Sequence, residues 1–272
     1  GRIMEEYPKF NIVGEEWSYN PIRIAYWQEG NNNKDGYKSN LKSTMDFAMQ
    51  KAIFEGIYEE ENWNTGLIKI YENLANDFYY ADPKSLLIFN DNHDMSRIFT
   101  QMKEDVSKTK MAVSLMLTLP RIPQILYGTE ILMEDSAKPG DHGLIRTDFP
   151  GGWKNDKSNA FTGYNLENSQ LEMQNYLKTL LNFRKNSKAI HEGETLHYAP
   201  KDGIYLLSRK YEDEIVIYVV NKNNKPVNLD TDRFIEIDAN GKIFTDIHTD
   251  KTYKWTGKIQ IKNNSSFILT NK

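Results

Sequence analysis

The sequence predicts an α/β chain, parallel β/α units over residues 1–190 followed by a small antiparallel β domain over residues 191–272. Three observations carry this prediction. Continuous apolar runs of strand length alternate with helical tracts, the pattern of parallel strands buried on both faces. Each clear run stops abruptly at a polar cluster. Beyond about Ala189, helical spacing gives way to short strands divided by Gly, Asn, Asp and Lys turns.

Taken in order, Arg2 to Tyr7 reads as the last turns of a helix closed by Pro8, and Phe10-Asn11-Ile12-Val13 as a short strand ending at Gly14. A Gly/Asn-rich loop from Gly30 to Gly36 leads to helical tracts from Asp46 to Glu61 and from Thr65 to Asn76, the second stopped by Asp82-Pro83. Ser85-Leu86-Leu87-Ile88-Phe89 is a buried strand, Lys108 to Leu119 a buried helix and Ile122 to Tyr127 a second buried strand. Glu134 to Leu166 is polar, Gly-rich and without periodicity, hence a long loop. Leu171 to Arg184 is the last helix. The boundary falls near His191, and Ile204 to Ser208, Ile215 to Val220, Phe234 to Ile237 and Ile259 to Ile261 read as strands of the second unit. No internal repeat of fixed period is present.

The 272 residues allow one large domain or two modest ones. With 39% hydrophobic and 26% charged residues the chain has the composition of a globular protein. A net charge of −4, with Lys and Arg scattered among Asp and Glu, argues against nucleic acid as a partner. The longest apolar stretch, Met111 to Leu119, is well short of the roughly 20 residues a membrane span needs, so no membrane span is expected. Zero cysteines exclude disulfides, thiolate catalysis and cysteine-held metals. They leave the compartment open. Periplasm or cell exterior is favoured over cytosol, with any leader upstream of Gly1, because Gly1-Arg2-Ile3-Met4-Glu5-Glu6 lacks the layout of a signal peptide. The 12% aromatic share suits clefts that stack on sugar rings.

Parallel β/α barrels assemble their active sites at the C-terminal ends of the strands. The clusters at those ends here are Gly14-Glu15-Glu16-Trp17, Asn90-Asp91-Asn92-His93-Asp94 and Tyr127-Gly128-Thr129-Glu130. They supply carboxylates, an imidazole and aromatic faces. Retaining glycoside hydrolysis needs such carboxylates: one protonates the leaving oxygen while another, about 5–5.5 Å away, attacks the sugar carbon.

Ile12-Val13-Gly14-Glu15-Glu16-Trp17 resembles the fifth-strand motif of glycoside hydrolase family 13, the α-amylases. Phe89-Asn90-Asp91-Asn92-His93-Asp94 resembles its seventh-strand motif, and Ile122-Pro123-Gln124-Ile125-Leu126-Tyr127-Gly128-Thr129-Glu130 its eighth. The motifs match in order and rough spacing, and the resemblance covers the whole chain. It implies the C-terminal half of a TIM (β/α)8 barrel, about strands 5–8, followed by an all-β antiparallel sandwich domain. It also implies a retaining α-glycosidase acting on α-1,4-glucans: starch, maltooligosaccharides, pullulan or cyclodextrins. Gly140-Asp141-His142-Gly143-Leu144-Ile145-Arg146 is similar to the neopullulanase and cyclomaltodextrinase branch.

Carried over by the resemblance, Glu15 is the general acid/base, Asp94 the carboxylate that stabilises the oxocarbenium-like transition state and His93 a ligand of a substrate hydroxyl. Asp141 and Arg146 fall where the family often grips the sugar beyond the cleaved bond, with a spacing that departs by about a residue from the common pattern. Trp17 and Trp153 are candidates to stack on sugar faces. The family nucleophile is an Asp in a Gly-Phe-Arg-x-Asp type pattern, which occurs nowhere in this sequence. The resemblance therefore implies an N-terminal barrel half outside these residues and no turnover by this chain alone. It implies no organic cofactor, and the structural calcium of many members draws its ligands from parts absent here.

Other readings compete. Glu16 is an alternative acid, Asp94 an alternative N-cap for the helical stretch after it, and His93 an alternative structural histidine. A non-catalytic carbohydrate-binding or structural fragment is one different class. A metal-dependent hydrolase with His93 and Asp94 as ligands is another, although the five histidines form no His-x-His or His-Glu-x-x-His pattern. A half barrel would leave strand edges unpaired, so self-association or binding of a companion N-terminal piece is expected.

Overall fold

The computed structural model describes residues 1–272. Four short strands, β1 (Val13–Gly14), β2 (Ser43–Thr44), β3 (Leu87–Ile88) and β4 (Ile122–Pro123), run parallel. β1 pairs with β2 and β3 with β4, and a parallel bridge from Met45 to Leu87 joins the two pairs into one arc in chain order. Hydrogen bonds from the Met45 N–H to the Gly14 carbonyl (3.0 Å), from Asp46 to Leu87 (2.8 Å) and from Gln124 to Ile88 (2.8 Å) stitch it. The outer sides of β1 and β4 pair with nothing, and Phe10, Val13 and Ile122 are exposed beside them.

Helices α1 (Arg2–Glu6), α2 (Pro21–Tyr26), α3 (Phe47–Tyr58), α4 (Ile68–Ala75), α5 (Ile98–Gln101), α6 (Val106–Thr118), α7 (His142–Ile145), α8 (Asn168–Asn186) and α9 (Lys188–Glu192) surround and follow the arc. Their starts are written in local chemistry. Asp46 and Asp105 accept from the N–H groups of Met49 and Lys108, both at 3.0 Å, and so cap α3 and α6. Asn20 caps α2 with Pro21 at its first position, and Glu167 with Gln170 forms a capping box on α8. In α6, Met111 to Thr118 is buried all round, as a helix must be when both sides are covered.

The second unit comprises β5 (Glu194–Lys201), β6 (Ile204–Tyr211), β7 (Glu214–Asn221), β8 (Val227–Asp230), β9 (Ile243–Asp246), β10 (Thr252–Lys254), β11 (Lys258–Ile261) and β12 (Ser265–Thr270). Six of them form an antiparallel sheet in the order β10-β9-β12-β7-β6-β5, and β8 pairs with β11 as a separate ribbon. Alternation decides the packing. Ile204, Leu206, Ile215, Ile217, Val219, Phe267 and Leu269 face a core shared with Leu229, Phe234, Trp255 and Ile259. Their neighbours Tyr205, Leu207, Val216, Tyr218, Val220 and Ile268 turn the other way, into a core shared with α3, α6 and α8. Each such side chain contributes roughly 1.5–3 kcal/mol of burial. One sheet thus serves two cores, and the Tyr218 hydroxyl donates to the Met111 carbonyl at 3.0 Å across the seam.

Several sequence expectations need correction. Phe234 to Ile237 is not a strand: it lies in a 3-10 helix, Thr231–Ile237, because the Asp230 side chain accepts from the Asp232 N–H and turns the chain. The Phe10 and Ile122 strands keep only two laddered residues each, Val13–Gly14 and Ile122–Pro123. The tract from Thr65 becomes helical only at Ile68, since Thr65 and Gly66 close a turn first, with Gly66 at φ +78°. β2 was not foreseen, as Ser43–Thr44 has no apolar run, and α7 interrupts the loop expected from Glu134 to Leu166. No helix is long and apolar enough to cross a membrane.

Candidate active site

Because β1 to β4 are parallel, the residues just past each strand gather at one end of the arc. Glu15 leaves β1 directly. Its side chain is exposed and enters no ion pair or hydrogen bond, whereas the adjacent Glu16 is held by Arg23 at 2.8 Å. Only Glu15 of the two is free to meet a ligand. Trp17 stacks on Phe47, ring centroids 4.7 Å apart and planes at 22°, so one indole face is already covered and the side chain remains 46% exposed.

Past β3 the chain makes a polar turn in which the side chains of Asn92 and Asp91 hold the backbone, while the buried side-chain amide of Asn90 bonds to nothing. Asn92 Oδ1 accepts from the Asp94 N–H at 2.8 Å and fixes the local backbone. Asp91, buried, accepts from the Ile98 N–H at 2.6 Å and thereby starts α5. The capping role weighed for Asp94 belongs to Asp91 instead. Burial pushes the Asp91 carboxyl up to about 6, with the Ile98 N–H and the Arg97 charge opposing.

Asp94 is thereby left to face outward, where two cationic or potentially cationic groups hold it. Arg146 Nη2 lies 2.6 Å from Oδ1 and His93 Nε2 lies 3.2 Å from Oδ2. The same guanidinium donates through Nε to the His93 carbonyl at 2.9 Å and approaches His142 Nδ1 at 3.3 Å. The planar fork of Arg146 therefore orients both Asp94 and the backbone that carries it. A metal ion bound by His93 and Asp94 would have to displace this cation.

Asp141 does not join the cluster. Its Oδ1 accepts from the N–H groups of Gly143 and Leu144, capping α7, and its Oδ2 pairs with Lys138 at 2.7 Å. Lys138 holds its carboxyl below the ordinary range. Trp153 is exposed on the following loop.

Two residues the sequence did not single out build the platform beneath. Arg97, fully buried, donates to the Ile145 carbonyl through Nε (3.0 Å) and Nη2 (2.6 Å) and to the Tyr127 carbonyl, tying the end of β4 to α7 and hence to Arg146. Asp135 accepts from the Arg97 N–H, Ser96 Oγ and the Gly140 N–H. Burial raises its carboxyl, and these donors more than reverse that, leaving it below the usual range. Neither has a sequence signal beyond being polar near a strand end.

Residues 2–158, more than half of the chain, match the family described as "Alpha amylase, catalytic domain". The chain belongs to the α-amylase family. Residues 195–270 match the cyclomaltodextrinase C-terminal domain, so both units of this α-amylase-family chain have counterparts. Alpha-amylase 3 of Dictyoglomus thermophilum is 29% identical over 238 residues, covering 79% of this chain and 43% of that protein. An α-amylase of Niallia circulans is 26% identical over 219 residues, covering 78% and 37%. The chain spans less than half the length of these curated relatives. Among solved structures, the α-amylase from Geobacillus thermoleovorans complexed with acarbose has the same fold, with a TM-score of 0.74 at 22% identity over 98% of this chain and 54% of that one. The arc is therefore part of an α-amylase catalytic barrel, followed by the family's antiparallel β domain.

Proposed function

We propose that these residues form the C-terminal part of a retaining α-glycosidase that cleaves α-1,4-glucans. Glu15 is the general acid/base: it protonates the leaving glycosidic oxygen and then takes a proton from the attacking water. Asp94 stabilises the positive charge that develops on the sugar ring, and His93, exposed beside it, holds a ring hydroxyl. Arg146 is a positioning residue for Asp94. Trp17, just past Glu15, offers its open indole face to a more distant sugar unit, while Asp141, held by Lys138 and the start of α7, is not given a substrate contact. The observation that carries this reading is the Asp94 carboxylate, clamped by Arg146 at 2.6 Å and His93 at 3.2 Å at the strand ends where Glu15 stands unpaired.

The nucleophilic aspartate lies outside these residues, which supply acid and stabiliser only. Starch, maltooligosaccharides, pullulan and cyclodextrins are the substrate range, the last suggested by the cyclomaltodextrinase-type C-terminal domain. Hydrolysis of p-nitrophenyl maltoside tests the proposal. The 272-residue chain is silent, and a longer polypeptide carrying the preceding strands is active. In the longer polypeptide Glu15→Gln and Asp94→Asn each lower kcat by about 10²–10⁴. Turnover by the 272-residue chain itself would remove the assignment of an external nucleophile, and full activity of Asp94→Asn would remove that of the stabiliser. The absence of a nucleophile motif favours one second reading of the isolated chain, as a glucan-binding unit without catalysis.

A further inference from the structure

Trp63 is 92% exposed, more than any other large apolar side chain. A tryptophan left wholly in water forgoes the stabilisation its burial would bring. The loop that carries it, residues 59–67 between α3 and α4, is nonetheless rigidly tied. Glu59 and Glu61 accept from the N–H groups of Gly66 (3.3 Å) and Leu67 (3.1 Å), and Asn62 Oδ1 accepts from the Trp63 N–H at 2.8 Å. Beneath it lies Lys222, the residue after β7, its side chain 9% exposed. The ammonium donates to the carbonyls of Gly56 (2.7 Å) and Glu59 (2.5 Å) and pairs with Glu61 at 2.7 Å. All three of its protons are used, which is what makes a buried lysine tolerable.

The opposite wall is equally stiff. The β5–β6 hairpin turns on Asp202 and Gly203, both with positive φ (52° and 69°), the tight two-residue turn that fits the twist of paired strands. Between loop and hairpin runs a groove of about 450 Å³ whose lining includes Trp63, Asn62, Glu72, Lys201 and Asp202. Apart from Trp63, Ile68, Pro200 and Gly203 its lining is polar. A protein-docking patch would offer a broader apolar core. One flat indole rimmed by carboxylates, an amide and an ammonium fits a pyranose, whose C–H face needs a ring and whose edge hydroxyls need donors and acceptors.

We propose that this groove is a non-catalytic α-glucan-binding site, in which Trp63 stacks on a glucose face and Glu72, Lys201 and Asp202 bond its hydroxyls. The choice of ligand rests on the α-glucan reading above. The groove is separate from the active-site cluster: the 12 residues of α3, about 18 Å of helix, lie between Asp46 at the end of β2 and this loop. A polymer is long enough to be held here while another segment of it reaches the strand ends.

Affinity electrophoresis of the 272-residue chain in gels containing amylopectin tests this. The chain is retarded by amylopectin and not by hydroxyethylcellulose. Trp63→Ala weakens the retention by about tenfold, Trp63→Phe keeps part of it, and Asp94→Asn keeps all of it. Circular dichroism verifies that the variants are folded, as expected for a solvent-facing position. Wild-type retention by Trp63→Ala, no retention of the wild type, or loss in Asp94→Asn alone each overturns the proposal. Failure of the catalytic reading shows elsewhere, in hydrolysis of p-nitrophenyl maltoside by the longer polypeptide. That substrate is too short to need the groove, so Trp63→Ala leaves its turnover unchanged.

Discussion

Arg146 shows how much a single side chain settles here. Its fork bonds Asp94 Oδ1, the His93 carbonyl and the edge of His142 at once, an arrangement lysine cannot reproduce because an ammonium is a point charge on a flexible stem. In a longer polypeptide that hydrolyses p-nitrophenyl maltoside, the proposed function predicts that Arg146→Ala lowers kcat by about a hundredfold through misplacement of Asp94, and that Arg146→Lys restores only part of that loss. The split between kcat and KM is the informative measurement. A change confined to KM would show that Arg146 grips substrate and does not position Asp94. At the same scale Glu15 and Glu16 are indistinguishable by residue type. Position in the motif favours Glu15, and the Arg23 contact that occupies Glu16 agrees with it.

At the scale of elements, the turn after β3 depends on Asp91. Its folded carboxyl, near 6, holds a proton to higher pH than an unfolded aspartate near 3.9. A raised carboxyl pKa favours the fold most below about pH 4, and that contribution fades as pH rises through about 6. Asp91→Asn keeps an acceptor for the Ile98 N–H but does not titrate. Urea denaturation between pH 4 and 7 should therefore show wild type losing up to roughly 3 kcal/mol relative to Asp91→Asn. Identical pH slopes would refute the shift. His248, half-buried against Tyr176 and pushed down to about 4 by desolvation, acts in the opposite sense, losing stability as pH falls from about 6.5 towards 4. Subtracting one protein from the other cancels it. The elements foreseen correctly are those with long apolar signals or strong caps, such as α6 and β7. β2 escaped notice because two polar residues become a strand only through the neighbours that pair with them.

At the scale of the molecule, the arc is open at both ends. A groove of about 410 Å³ lined by Val13, Ser43, Leu87 and Ile122, one residue from each of its strands, runs across it, with Phe10 and Met4 alongside. Unpaired strand edges beside apolar surface recruit other strands. The chain taken alone is expected to self-associate, with a concentration-dependent mass in light scattering, and Val13→Lys with Ile122→Lys is expected to shift it towards monomer. A monodisperse wild-type monomer would count against this. The β domain contributes no residue to the cluster at the strand ends. Its sheet supplies the second face of the core around α6, so loosening the seam at Tyr218 threatens the barrel as much as the sheet.

What the sequence determined by itself was the class of fold and the family, together with the polar clusters that close the parallel strands. Buried parallel strands, an alternating antiparallel tail and three ordered motifs containing Glu15, His93 and Asp94 are local patterns, and local patterns survive without coordinates. The tertiary structure decided which of these groups are free and which are spoken for. It bound Asp141 into a helix cap, gave Asp91 the capping role weighed for Asp94, and brought Arg146 across 52 residues to the Asp94 carboxylate. It also set Trp63 on a loop held by a lysine 159 positions away in sequence, near the Glu61 that the same ammonium pairs with across 161. Such pairings follow from the path of the whole chain through space, because burial and charge are properties of neighbours that sequence order does not record.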